Sequence, residues 1–292
     1  MIFTTDLGLP EAPLLLADGT WLVAELAFER GRITKVSADG GEKWTMAETG
    51  RPNGLALDRN GDVWCCETLT PSIIKMAPDG TCETVLTEVE GVPLLWPNDL
   101  CFGSDGALYI TDSGLLVRDF LDDAGAPRPG CDTLPMAGIV FRYDPATGES
   151  RILDDGYRFT NGIAFGPDGL LYTNETIGGN VYRYTVAADG SLGPREVFGN
   201  VLDPAYTDPG LRGPDGMAFS TDGRLFIAVF GQGDVTVMDR EGTVVDRLRL
   251  GGRGPTNVAF GPAGEQRLYV VEDEKGAIEV HDVGVDGLPL YD

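Results

Sequence analysis

The sequence predicts an all-β chain folded as a six-bladed β-propeller, and three observations support this. A strand–turn–strand pattern recurs six times in the 292 residues, at intervals of roughly 40 to 60 residues, the spacing of propeller blades. Gly and Pro are abundant, at 41 and 19 residues, as tight turns between short strands require. No stretch shows a sustained apolar stripe at three-four spacing, so long amphipathic helices are not expected.

Each copy is anchored on a small residue followed by Gly, or by the Asp-Gly and Asn-Gly pairs that close hairpins between apolar runs. In order they are PEAPLLLADGTWLVAE (10–25), PNGLALDRNGDVWCCE (52–67), PNDLCFGSDGALYITD (97–112), TNGIAFGPDGLLYTNE (160–175), PDGMAFSTDGRLFIAV (214–229) and PTNVAFGPAGEQRLYVVE (255–272). The sixth carries a two-residue insertion after its turn. Strand-like runs at 31–36, 72–76, 180–185, 234–238 and 277–281 would extend the blades outward. Little chain follows the last of these. The segment Ile2-Phe3-Thr4-Thr5 is therefore expected to supply the outermost strand of blade six, closing the ring without an exposed edge. Residues 1–292 are read as a single domain. Two connections, 113–137 and 199–213, are long for a repeat fold. In a four-stranded antiparallel blade both emerge on the face where the innermost strands begin, and long loops in such positions tend to carry function.

The formal net charge is −24. Such a surface repels phosphate backbones and anionic membranes, which excludes nucleic acid and membrane as partners and leaves a small-molecule substrate. A bound metal ion would reverse the field locally. The five cysteines, Cys65, Cys66, Cys82, Cys101 and Cys131, are odd in number and contain no Cys-x-x-Cys pair, so neither a disulfide framework nor a zinc site is expected. No basic segment precedes an apolar run at the N-terminus, and no apolar run has the length of a membrane span, which points to the cytoplasm. Oligomeric state is left open.

The chemistry lies in the register of the six copies. Seven positions before each turn residue stand Glu11, Asn53, Asn98, Asn161, Asp215 and Thr256, each at the start of an innermost strand near the axis. All six carry a side-chain oxygen. Carboxylates and carboxamides without His or Cys form a hard-ligand set suited to one divalent cation, Ca2+ before Zn2+, Mn2+ or Mg2+. The competing reading is that these side chains only bond local backbone, as Asn and Asp do in turns. Thr256 is the weakest member and is read as structural, while Asn53 stays open between metal, support and substrate. Six residues after the turn glycine a second register holds Glu25, Glu67, Asp112, Glu175, Val229 and, allowing for the insertion, Glu272. These acids could orient the ring or bond backbone between blades. The single histidine, His281, falls in an outer strand, so histidine-based triads are set aside. Proton transfer then falls to a carboxylate or to metal-bound water, and Asp215 is the best placed carboxylate.

The succession Glu-Ala-Pro, Arg-Pro-Asn-Gly, Pro-Asn-Asp, Thr-Asn-Gly and Pro-Asp-Gly, ending in Gly287-Leu288-Pro289-Leu290-Tyr291, resembles the gluconolactonase/regucalcin (senescence marker protein) family over essentially the whole chain. The resemblance implies a six-bladed propeller with a divalent metal, usually calcium, in its central tunnel. By position it implies Glu11, Asn161 and Asp215 as metal ligands, Asn98 as a further ligand or substrate contact, and Asp215 as general base or nucleophile. The implied reaction is metal-dependent hydrolysis of a lactone. Organophosphorus ester hydrolysis at the same site, a non-catalytic binding propeller and a metal-free condensing enzyme of the strictosidine-synthase kind are the alternatives. One departure stands out: where sugar lactonases commonly carry Arg two residues before the third-blade Asn, this chain has Trp96, preceded by Leu94 and Leu95. With Leu115, Leu116, Phe120 and Tyr206 on the long loops, either the mouth suits a less hydroxylated substrate, contacted by Trp96, Asn98 and Asn53, or these residues pack the loops down.

Overall fold

The computed structural model describes residues 1–291, so of the expected span only Asp292 lies outside the described residues. They form six four-stranded antiparallel sheets. The innermost strands, Pro10–Leu15, Pro52–Leu57, Pro97–Phe102, Thr160–Phe165, Gly213–Phe219 and Pro255–Phe260, touch their neighbours in cyclic order, which closes a six-bladed propeller. The second strands are Trp21–Glu25, Val63–Glu67, Leu108–Asp112, Leu171–Glu175, Leu225–Phe230 and Arg267–Glu272. Third strands follow at Arg32–Val36, Ser72–Met76, Gly138–Tyr143, Asn180–Tyr184, Asp234–Met238 and Ala277–Asp282. Blade six takes its fourth strand from the other end of the chain, where Ile2 pairs with Glu279 and Thr4 with Ile278. The expected closure is therefore present.

The turn chemistry acts as the sequence suggests. Asp18, Asp105 and Asp168 each accept a hydrogen bond from the backbone N–H two residues on, at 3.0, 3.2 and 3.1 Å. This Asx geometry fixes where the second strand starts and hence its register. The insertion in blade six is absorbed between Gly264 and Gln266, both with positive φ, and Phe260 still faces Leu268.

Because each sheet is sandwiched between two others, inner strands are buried on both faces and read as near-continuous apolar runs. The second strand of blade one is wholly buried, whereas its outermost strand, Lys43–Glu48, is largely exposed. Each blade-to-blade interface has its own apolar core. Between blades two and three Trp64 meets Tyr143 at 5.9 Å and Phe102 at 6.4 Å. Between blades four and five Tyr172 packs edge-on to Phe219 at 4.8 Å. Between blades six and one Phe3 sits 5.2 Å from Tyr269 and 6.3 Å from Trp21.

Near the axis each innermost strand has a register shift at its ring residue. A bulge there bends the strand and re-aims its side chains. Neighbouring strands come so close that a Cβ at Gly54 would stand 2.7 Å from Asn98 O, and one at Gly162 would stand 2.4 Å from Asp215 O. Glycine is required at both.

Closure by the N-terminal strand carries a testable consequence. Deleting residues 1–5 removes the fourth strand of blade six and the Phe3 contacts, so the melting temperature should fall by about 5 °C or more. An unchanged melting temperature would show that the strand contributes nothing to closure.

Candidate active site

All six predicted ring residues line one cavity of about 90 Å³ at the axis. Glu11, Asn53, Asn98, Asn161 and Thr256 are buried, and Asp215 is half-buried. The cavity is completed by two charged residues that the sequence reading did not single out, Arg51 and Asp273, and by an apolar wall including Trp96, Phe120, Leu121, Phe159, Leu211 and Phe230.

The two central carboxamides are held in one orientation by a third register. One position beyond the acidic residues stand Leu26, Thr68, Ser113, Thr176, Phe230 and Asp273. Asn98 Nδ2 donates to Ser113 Oγ at 3.0 Å, and Ser113 Oγ donates to Thr160 O of the next blade at 2.9 Å. One blade further, Asn161 Nδ2 donates to Thr176 Oγ1 at 3.1 Å, and that hydroxyl donates to Pro214 O at 2.9 Å. With each NH2 group engaged by a hydroxyl, Asn98 Oδ1 and Asn161 Oδ1 are left buried without a hydrogen-bond partner among the described residues. Both residues line the cavity. Thr256 behaves differently: its hydroxyl donates to Pro10 O at 2.7 Å, fastening blade six to blade one.

The acidic register bonds backbone. Glu67 accepts from Arg51 N–H at 2.9 Å, Asp112 from Leu95 N–H at 2.8 Å, Glu175 from Arg158 N–H at 2.8 Å and Glu272 from Gly254 N–H at 2.8 Å. Each thereby fixes the segment leading into the innermost strand of its own blade. The acids set the height of the ring, and the hydroxyls beside them set the direction of its amides. His281 lies in the third strand of blade six, 3.4 Å from a Glu279 oxygen, and does not line the cavity.

The cavity is rich in carboxylates held above their ordinary range. Burial, and then the neighbouring Asp99, pushes Glu11 up to about 8, against the pull of the Ala12 N–H and the Asn257 side chain. Burial, Glu11 and Asp273 together hold Asp215 well above a normal carboxylate, although the Asn161 side chain opposes them. Burial raises Asp273 to about 8 and Asp99 to about 7. Glu11 and Asp215 oppose each other's ionisation. No group of three or more His, Cys, Asp or Glu side chains among the described residues is placed to hold a metal ion. The ring instead combines two carboxylates with two unpartnered carboxamide oxygens, a donor set that fits an oxygen-seeking cation.

The loop of residues 113–137 overhangs this face as expected. It carries a short helix, Val117–Phe120, and a turn, Cys131–Thr133. Its hairpin reaches across to blade one, where a Cβ on Gly125 would come 2.9 Å from Leu9. Trp96, Leu115, Phe120, Leu121, Cys131 and Phe159 form a buried cluster beneath it. The apolar residues named from the sequence therefore divide. Trp96 and Phe120 face the cavity, Leu115 packs within the loop, and Leu94 joins the core between blades two and three. Tyr206 also packs down, its hydroxyl donating to Gly231 O at 2.8 Å.

Fold and site together define a six-bladed propeller with an oxygen-lined axial cavity. The family described as SMP-30/Gluconolactonase/LRE-like region matches residues 79–273, and the chain belongs to that family. It is 30% identical over 62% of its length to Protein STRICTOSIDINE SYNTHASE-LIKE 3 of Arabidopsis thaliana, covering 43% of that protein. It is 28% identical over 75% of its length to a gluconolactonase of Zymomonas mobilis, covering 60% of that protein. The chain spans about half the length of the curated relatives it matches. The structure of a calcium-binding protein, regucalcin, from Agrobacterium tumefaciens superposes with a TM-score of 0.77 at 21% identity, covering 100% of this chain and 99% of that one, which shows a common fold.

The raised carboxyls make metal-free stability depend on pH. Glu11 and Asp273 hold their protons up to about 8 when folded, against ordinary values of 4.5 and 3.8. The stability that they contribute is full below those ordinary values and is lost as pH rises through about 8. The melting temperature in chelator should therefore be lower at pH 8 than at pH 5.5. A flat or rising profile over that interval would contradict this reading of the cavity.

Proposed function

We propose that the chain is a metal-dependent lactonase, with one divalent cation held by Glu11, Asn161, Asp215 and Asn98. The supporting observation is the pair of buried carboxamide oxygens, on Asn98 and Asn161, whose amide ends are taken by hydroxyls and which have no hydrogen-bond partner among the described residues. They stand in a cavity with two carboxylates that favour a cation between them. The all-oxygen set favours Ca2+, with Zn2+, Mn2+ and Mg2+ as alternatives. A cation bound there would polarise the lactone carbonyl and stabilise the charge that develops on its oxygen.

The residues divide the remaining work. Asp215 is the ring carboxylate open enough to meet water; kept ionised by a bound cation, it would take the proton as water attacks the carbonyl carbon and return it to the lactone's ring oxygen as the C–O bond breaks. Asn98 and Asn53 present polar groups to the substrate, with Trp96 beside them on the apolar wall. That wall, extended by Phe120, Phe159 and Phe230, favours a lactone less hydroxylated than a sugar lactone. The gluconolactonase of Zymomonas mobilis among the relatives supports lactone hydrolysis as the reaction class.

Hydrolysis of γ-valerolactone and of gluconolactone, followed before and after chelation and in Asp215→Asn, tests the proposal. Chelation should remove activity that added Ca2+ restores, and Asp215→Asn should lower kcat/KM by about a hundredfold or more. Activity that survives both treatments would defeat the proposal and leave a metal-free reaction as the better account. A strong preference for gluconolactone would count against the apolar wall as a determinant of substrate choice.

A further inference from the structure

Arg51 is the one cationic side chain among the described residues that line the cavity. It is 3% exposed. Its backbone is pinned at both ends, the N–H donating to Glu67 at 2.9 Å and the carbonyl accepting from Thr68 Oγ1 at 2.9 Å. The guanidinium lies 5.3 Å from the Trp96 ring centroid and 5.7 Å from that of Phe28. Its one side-chain hydrogen bond among the described residues runs from Nη1 to Thr68 Oγ1 at 3.1 Å, and Nε is buried without a partner.

A guanidinium offers five N–H donors in a planar fork, and a buried charge is ordinarily paired. Asp273, Glu67 and Glu11 act on Arg51 through space, yet none forms an ion pair with it among the described residues. The Glu67 oxygens are occupied by the backbone N–H groups of Arg51 and Leu69. Asp273 lines the same cavity without forming an ion pair with the guanidinium among the described residues. Burial lowers Arg51 only to about 10, so it remains charged at neutral pH. The outcome is a fixed, charged fork beside two rings, on the wall of the cavity that the ring residues line.

We propose that Arg51 anchors a carboxylate of the substrate, so that the molecule turned over is a lactone carrying a second, free carboxylate. The inference rests on the lactonase reading above. A planar two-oxygen acceptor matches the fork, and the flanking rings exclude water that would weaken the contact. The strongly negative chain disfavours a doubly charged phosphate. With the anion at Arg51, the ester carbonyl of a small molecule is left to the part of the same cavity where the ring residues would hold the cation.

The test compares γ-butyrolactone with its carboxylated analogue, 5-oxotetrahydrofuran-2-carboxylate, in the wild type, Arg51→Met and Arg51→Lys. The wild type should favour the acid in kcat/KM, and Arg51→Met should reduce the acid-to-neutral ratio by about tenfold or more, with Arg51→Lys in between. Equal losses on both lactones, or a wild-type preference for the neutral one, would overturn the proposal. Calorimetric titration with 2-hydroxyglutarate, the open form of the acid, separates this inference from the lactonase reading. Binding by the wild type that is lost in Arg51→Met supports the anchor even if neither lactone is hydrolysed, and absence of binding by the wild type overturns it. An unchanged or raised melting temperature in Arg51→Met is expected if the charge serves a ligand. A marked fall accompanied by equal losses would assign Arg51 to the fold instead.

Discussion

The hydrogen bond from each central carboxamide to a hydroxyl on the neighbouring strand is the interaction on which the site depends. A carboxamide has two chemically different ends, and nothing in an Asn at a strand start decides which end meets the axis. Here Ser113 and Thr176 decide it, because each spends its own proton on the carbonyl of the next blade and can then only accept from the amide. The same two hydroxyls therefore tie blade three to four and blade four to five, while Thr256 ties blade six to one. Closing the ring and aiming the amides are one set of contacts.

Electrostatics follows from that closure. Bringing six inner strands within van der Waals distance buries Glu11, Asp215 and Asp99 near a common axis, at a cost that hydrogen bonding only partly offsets. Such a cavity is short of positive charge. Arg51 stands on its wall without an ion pair among the described residues, so the negative ring and the cation occupy different parts of one small space. A substrate that bridges them would be held at two points, and two-point binding favours a defined orientation of the reacting carbonyl.

Much of the fold was legible because the hairpin repeats. The turn Asp-Gly pairs, the apolar runs and the two-residue insertion in the sixth copy place every innermost and second strand, and the ring register follows by counting. The third-blade outer strands and the short helix of the overhanging loop lack such an anchor and emerge only from packing. In the site, the ring was visible for the same reason as the blades. Ser113 and Thr176 were not, because the six residues of their register differ too widely in chemistry, from Leu26 to Asp273, to stand out as a set. Arg51 was quoted in a motif, but that no carboxylate among the described residues pairs with it is a property of space and not of sequence. The acids of the second register could be located from the sequence but not assigned, and the structure gives them to backbone N–H groups.

The most direct test of the ring is the melting temperature of chelated protein at pH 8 as Ca2+ is added, in the wild type and in Asn161→Leu. A cation seated among Glu11, Asn98, Asn161 and Asp215 should give the wild type a saturable rise of about 5 to 10 °C, and removing one aimed oxygen should abolish most of it. No rise in the wild type, or the same rise in Asn161→Leu, would contradict the account.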